Sequence, residues 1–303
     1  MGKVSDIVGG GSVLRRIRSS IFTVWAIPIL YLTILVVFYM KYGMLLQLTL
    51  GAAALLVLPV VAKIAKSRDF LKNTAMFVSV LLTYEALQGI TGAVVNSHGA
   101  ASLASVDKAI LGIDLPAALQ SAFASNTVTI VATFFYSLHF FLILVAVVLF
   151  WFTSRTAYTK YTYSMILTSY LALMTFVLFP SAPPWFVGSA QNMLSVGSKL
   201  LPSSMQSLQQ AALAIESDKF AAFPSLHVAY ATLFAVYSIR VNPKLALVSI
   251  PILVGVSFSV LYLGQHYFVD IVGGIAYSGG SVLAVDRLLA RKGSVKAATV
   301  SVP

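Results

Sequence analysis

The chain has 303 residues, of which 59% are hydrophobic and 10% charged, with a mean hydropathy of +0.91. A soluble domain carries about a quarter charged residues, so a water-facing surface cannot be covered and the main solvent must be lipid. The net charge of +11 sits in gaps between apolar runs, which points to a membrane topology signal rather than to nucleic acid, and the lack of cysteine excludes disulfides, thiolate metal sites and cysteine nucleophiles.

The chain opens on a basic flank, Lys3, Arg15, Arg16 and Arg18, followed by the apolar run 21–40. That run is too long for a signal-peptide core and reads as a first membrane helix. A spanning helix needs about 20 mostly apolar residues. Eight segments meet or approach that length: 21–40, 44–62, 73–95, 128–152, 162–179, 225–241, 245–264 and 267–286. The expected fold is an all-α, polytopic membrane helix bundle of about eight transmembrane helices. One integral membrane domain covers 21–286, between a basic N-terminus (1–20) and a basic, mobile tail (287–303). Two connecting stretches, 96–126 and 180–224, hold amphipathic patterns at 115–124, entered through Asp114 and Pro116, and at 204–217. Both are expected to lie in the membrane interface.

With eight spans, 16 of the 20 lysines and arginines fall on the side of the N-terminus. The other side receives only Lys41, Lys108, Lys199 and Lys219. The positive-inside rule makes the basic side cytoplasmic, with both termini there. The two long connections then face the outside or a lumen, on a side that holds no arginine.

Ionisable groups inside a membrane segment are functional candidates by default. Of the four histidines, His98 lies in an outer loop and reads as a bland surface residue. His227 follows Phe223-Pro224-Ser225 at the start of the sixth span. Proline and serine are natural helix-start residues, and a helix N-terminus favours phosphate. Ser225 adds a hydroxyl, and His227 is within reach of the same ligand. His266 opens the eighth span, four residues before Asp270, a spacing that puts both on one helix face. A carboxylate on one ring nitrogen fixes the tautomer and leaves the other nitrogen to attack. The topology brings both histidines to the outer boundary. The fifth span exits there through Phe179-Pro180-Ser181-Ala182-Pro183-Pro184-Trp185, a rigid turn with an interfacial tryptophan. His139 falls near the middle of the fourth span, a cavity-lining candidate with Glu85 or Asp107 as partner.

Phe179–Trp185, Phe223–His227 and His266–Asp270, in that order, resemble the type-2 phosphatidic acid phosphatase superfamily, and within it the inositol-phosphorylceramide synthase branch. Weaker echoes are Tyr84–Gly89, Asp107 through Gly112, and His139-Phe140. The resemblance implies a catalytic core in the C-terminal half, with His266 as nucleophile, Asp270 orienting it, His227 as leaving-group acid and Ser225 binding phosphate. Two departures stand out. Val260 occupies the place where the superfamily's third motif has an arginine, and Pro180–Trp185 replaces a lysine–arginine first motif. The synthase branch lacks that arginine as well. Lys219 and Lys199 are therefore candidate phosphate contacts, and Pro183, Trp185, Gln265 and His139 candidate lining of the substrate site. No metal and no cofactor is expected. The expected activity is transfer of a phosphoryl or phospho-headgroup from a phospholipid or polyprenyl phosphate, through phosphohistidine, to a lipid or sugar hydroxyl. Water as acceptor would make it a lipid phosphatase. A lipid or ion transporter is the reading from another class, and it requires ionisable groups at mid-membrane depth.

Overall fold

The computed structural model describes Val95, residues 100–203, Gln206 and residues 219–300, with the backbone alone for Phe140 and residues 291–300. All of these belong to one compact unit, Leu87–Pro303. Apart from Val95 and Gln206, the expected segments at 21–40, 44–62, 73–95 and 204–217 lie outside the described residues, as do Glu85 and His98. The count of eight spans falls with them.

In chain order the elements are β1 (Ala101–Ser102), α1 (Ala104–Leu111), α2 (Leu115–Ala122), α3 (Asn126–Thr153), α4 (Arg155–Leu178), β2 (Ser181–Ala182), α5 (Pro184–Val187), α6 (Met193–Leu200), α7 (Leu226–Val241), α8 (Ala246–Tyr262) and α9 (Phe268–Val300). The expected interfacial helix at 115–124 is α2. Asp114 caps it by accepting from Ala117 N–H at 3.3 Å. Ser125 caps α3 and Ser154 caps α4 in the same way, at 3.2 Å each. Such caps satisfy orphan amides at helix starts.

The five expected spans among the described residues correspond to α3, α4, α7, α8 and α9, with instructive shifts. The loop expected at 153–161 shrinks to Ser154 alone, which ends α3 and starts α4. Its charges did not break the helix because each has a partner: Arg155 lies over the Trp151 ring, and Lys160 bonds Asp286 at 2.8 Å. The tail expected to be mobile continues α9 as helix to Val300. Three helices, over Arg155–Leu178, Pro243–Tyr262 and Phe268–Ala290, are long and apolar enough to cross a membrane. The α3 pair, bent by 51° between Asn126–His139 and Phe141–Thr153, makes a fourth if taken as one span. Thr129, Thr133 and Ser137 each donate a hydroxyl to the carbonyl four residues earlier, a habit that bends helices.

α7 is the shortest of these apolar helices because it is enclosed. It packs against α3, α4, α8 and α9, and Val228, Ala229, Ala231 and Leu233 are sealed from solvent. A helix apolar on every side is an interior helix. Hydroxyl pairs cross-link it and its neighbours: Tyr230 to Ser169 at 2.6 Å, Tyr237 to Ser164 at 2.8 Å, and Tyr262 of α8 to Thr129 of α3 at 2.9 Å. Where lipid offers no hydrogen-bonding partner, such pairs bind helices together.

Small residues let α7 approach α9. A Cβ on Gly274 would collide with the backbone carbonyl of Ser225, and one on Gly273 would meet the Phe223 ring. Gly279 and Gly280 face open space, so close packing accounts for the first glycine pair only. The all-α expectation needs one correction. β1 and β2 pair in parallel, Ala101 with Ser181 and Ser102 with Ala182, and Ala221 bridges Ser181 on the other side. A sequence pattern cannot announce two-residue strands, which exist because three loops must satisfy one another's backbone groups.

Gly274→Ala is expected to lower thermal stability in detergent by about 1–3 kcal/mol, as overpacking against backbone does. Gly279→Ala, with room for the methyl group, should be neutral or up to about 1 kcal/mol stabilising through helix propensity. Melting curves of the two variants side by side check the pair; equal losses would mean that α7 and α9 are not in contact at Ser225.

Candidate active site

The histidine cluster is assembled where α7 and α9 begin and α4 and α8 end. At the end of α8, Gly264 takes φ +76°, a backbone state that glycine tolerates. The N–H groups of Gln265 and His266 then both donate to Val260 O at 3.0 Å. This closes the helix and turns the chain sharply into α9. Val260 is fully buried, so the place that resembled the arginine position is interior, and its carbonyl does the structural work.

α9 starts at Phe268, so His266 stands two residues before the helix and not on its first turn as the i, i+4 spacing suggested. The contact with Asp270 is nonetheless made. Asp270 Oδ2 accepts from Tyr267 N–H at 2.8 Å and lies 3.3 Å from His266 Nδ1. The first bond is half of a capping box, in which the third helical residue reaches back to the cap residue. Asp270 is fully buried, and its Oδ1 has no hydrogen-bond partner among the described residues. A buried carboxylate oxygen left in that state is costly unless a positive charge stands nearby. An imidazolium at His266 would supply one.

His227 sits in the first turn of α7, its ring centroid 5.7 Å from that of His266. Both rings are buried. Ser225 precedes α7 as its N-cap, yet makes no side-chain cap. Its Oγ is fully buried and has no hydrogen-bond partner among the described residues, while its N–H donates to Asp270 O at 3.0 Å. The hydroxyl is thus available to a ligand at the start of α7. His139 joins from α3, with its ring 4.2 Å from His227 and stacked on Tyr230 at 5.2 Å. Tyr136, one turn before it, lies 4.2 Å from His227 on the same helix face. The expected pairing of His139 with Asp107 is not made, because both Asp107 oxygens are bonded elsewhere: Oδ2 accepts from Phe268 N–H at 2.6 Å and Oδ1 from Val269 N–H at 2.9 Å.

The remaining candidates fall into two groups. Trp185 and Gln265 stand side by side next to His266. Trp185 N–H donates to Gly264 O at 3.0 Å and its indole N–H to Gln265 Oε1 at 3.1 Å. Gln265 Nε2 in turn reaches Asn192 Oδ1 at 3.2 Å. Pro183 is buried just before α5. Ser181 ties this turn to the segment before α7: its N–H donates to Phe220 O, its carbonyl accepts from Ala222 N–H, and its Oγ accepts from Phe223 N–H at 2.7 Å. Lys199 and Lys219, by contrast, are exposed, and among the described residues neither side chain makes an ion pair or hydrogen bond. Sequence reasoning missed the roles of Asp107, Ser181 and Tyr136. Only Tyr136 left a signal, the three-residue spacing to His139.

Comparison with known proteins adds to this picture. The PAP2 superfamily pattern matches residues 101–284, more than half of the chain. The chain is similar to the inositol phosphorylceramide synthase catalytic subunit of Saccharomyces cerevisiae, at 33% identity over 114 residues, covering 33% of this chain and 27% of that protein. It is also similar to the inositol phosphorylceramide synthase of Candida albicans, at 28% identity over 154 residues, covering 46% of this chain and 32% of that protein. The match thus spans about a third or less of either relative's length. No solved structure matches the chain.

Ser225→Ala removes the hydroxyl at the start of α7 that has no partner among the described residues. It is expected to weaken inhibition by orthovanadate about tenfold, the scale of one hydrogen bond to a charged group, with little change in melting temperature. Lys219→Ala should leave vanadate inhibition within about twofold, as an exposed charge does. A larger effect at Lys219 than at Ser225 would reverse the assignment.

Proposed function

Because the chain belongs to the PAP2 superfamily, we propose that it is a membrane lipid phosphotransferase working through a phosphohistidine at His266. The observation that carries this reading is the pair of buried histidine rings 5.7 Å apart, one of them held at Nδ1 by a buried carboxylate. With Nδ1 facing Asp270, Nε2 is the nitrogen left to attack. It forms a bond to phosphorus as the bond to the leaving oxygen breaks, and protonated His227 gives that oxygen its proton. In the second step an acceptor hydroxyl loses its proton to His227 and attacks phosphorus, and the phosphorus–nitrogen bond breaks. Asp270 stabilises the imidazolium that His266 becomes in each transition state. Ser225 Oγ and the uncapped start of α7 hold the phosphoryl oxygens.

The relatives' names support a lipid hydroxyl as acceptor. Water in its place would make the protein a lipid phosphatase. The arginines of the described helices gather at the opposite end of the bundle, Arg155 at the start of α4, Arg240 at the end of α7 and Arg287 late in α9, together with Lys160 and Lys244, whereas Lys108 and Lys199 lie on the short helices α1 and α6. With that end at the cytoplasm, the histidines face the outside or a lumen. They also cluster at one end of the helices, which supports an enzyme over a transporter.

The test is turnover by protein purified in detergent of a panel holding phosphatidic acid, phosphatidylinositol and a polyprenyl diphosphate, with and without ceramide or diacylglycerol. A new phospholipid formed only with the acceptor, and lost by at least about 10³-fold in His266→Ala, is the expected result. Free phosphate as the main product would make it a phosphatase. Product formation that survives His266→Ala would overturn the mechanism.

A further inference from the structure

We infer that Asp107 is a positioning residue for the nucleophile: it supplies, from α1, the cap that α9 lacks in its own sequence. The inference rests on the reading of His266 as nucleophile. A helix start leaves its first amides without partners, and a polar side chain at the cap position normally takes them. At α9 the cap position is Tyr267, whose side chain cannot do so. Asp270 reaches back to Tyr267 N–H, but the next two amides, Phe268 and Val269, are left over. Both are taken by Asp107, one by each carboxylate oxygen, at 2.6 and 2.9 Å. The capping box is thus split between residues some 160 positions apart, and Asp107 is buried to do it.

Two consequences reach the chemistry. First, His266 lies immediately upstream of these amides, so whatever fixes the start of α9 fixes the direction of its ring. Asp107 also stands in a chain of contacts with the rest of the site. α1 follows β1, β1 pairs with β2, and β2 carries Ser181, which bonds the segment leading to Ser225. Second, two carboxylates now occupy the positive end of the α9 dipole. A phosphate cannot use that end. It is left with the start of α7, where no side chain caps and Ser225 Oγ stands ready. The two helix starts therefore do different jobs: α7 receives the anion and α9 aims the attacking ring.

The experiment compares full-length wild type with Asp107→Asn, which keeps one acceptor, and Asp107→Ala, which keeps none. Hydrogen exchange over 264–272 is read beside kcat and KM for the panel lipid that wild type turns over fastest. Exchange in that segment should rise in the order Asp, Asn, Ala, while the rest of α9 stays protected. Turnover should fall in the same order, roughly 10- to 100-fold for Asn, the cost of a misplaced reacting group, with KM within about twofold. Unchanged exchange at 264–272 overturns the inference, and so does a KM effect with kcat retained, which would make Asp107 a substrate contact. A uniform rise in exchange across all helices for Asn would reduce Asp107 to a fold-stabilising residue and overturn it too. Activity surviving in His266→Ala would defeat the functional reading alone, because the exchange data still judge the cap.

Discussion

Ser225 and Gly274 lie so close that a single methyl group would drive a carbon into a carbonyl oxygen. That approach of α7 to α9 is the constraint from which the rest of the site follows. It puts Ser225 N–H on Asp270 O, which registers the start of one helix against the first turn of the other. His227 and His266 are each tied to one of those starts, so the distance between them is set by backbone and not by flexible side chains. A phosphoryl group handed from one nitrogen to an acceptor demands placement to within fractions of an ångström. Rigid helix starts supply such placement where loops would not. The rings of Tyr136 and His139 lie against His227 and limit its rotation, and Tyr230 stacks on His139 in turn.

Among the described residues, the histidine end of the helices holds no arginine. A phosphate in low dielectric needs positive potential, and a guanidinium is the common source. Here the arginine-like position is the buried Val260, and Lys199 at the end of α6 and Lys219 ahead of α7 are exposed, with no ion pair or hydrogen bond among the described residues. What remains is the partial charge of a helix start together with a hydroxyl. Such a source is weaker than a guanidinium and falls off within one turn, so it acts only on a group seated directly on it. Binding energy for the rest of the lipid must then come from apolar contact. An enzyme whose substrate is already confined to the bilayer has that contact at hand.

Much of this was legible in the sequence. The long helices from 128 onward follow from apolar length, and the nearness of His227, His266, Asp270 and Ser225 follows from chain order, since both helix starts had to lie at one end of the bundle. The errors share a cause. Charged residues at 155–160 were read as a loop because a sequence shows charges and not their partners; Trp151 and Asp286 provide those partners. Lys219 is near Ser225 along the chain, and its side chain is exposed. Asp107 was matched to a histidine because both are ionisable, whereas backbone amides were its partners. Amides carry no signature in a sequence.

Transfer and hydrolysis differ only in which hydroxyl reaches phosphohistidine, and water is everywhere in excess. A transferase must therefore keep its intermediate dry. The loops over the site are bound to one another in a way that serves this end. Gln120 holds Gln191 with a reciprocal pair of bonds at 2.8 and 2.9 Å and also reaches Tyr262 O, which links α2 to the end of α8. Trp185 and Gln265 continue that line toward Asn192. The β1–β2 pair, with Ala221 bridging it, closes the other side. The rings of His227 and His266 are almost sealed from solvent. A phosphatase gains nothing from such a roof, since water is its second substrate and an open site would speed release. A layer fastened by these bonds suits a transfer from which water must be kept out.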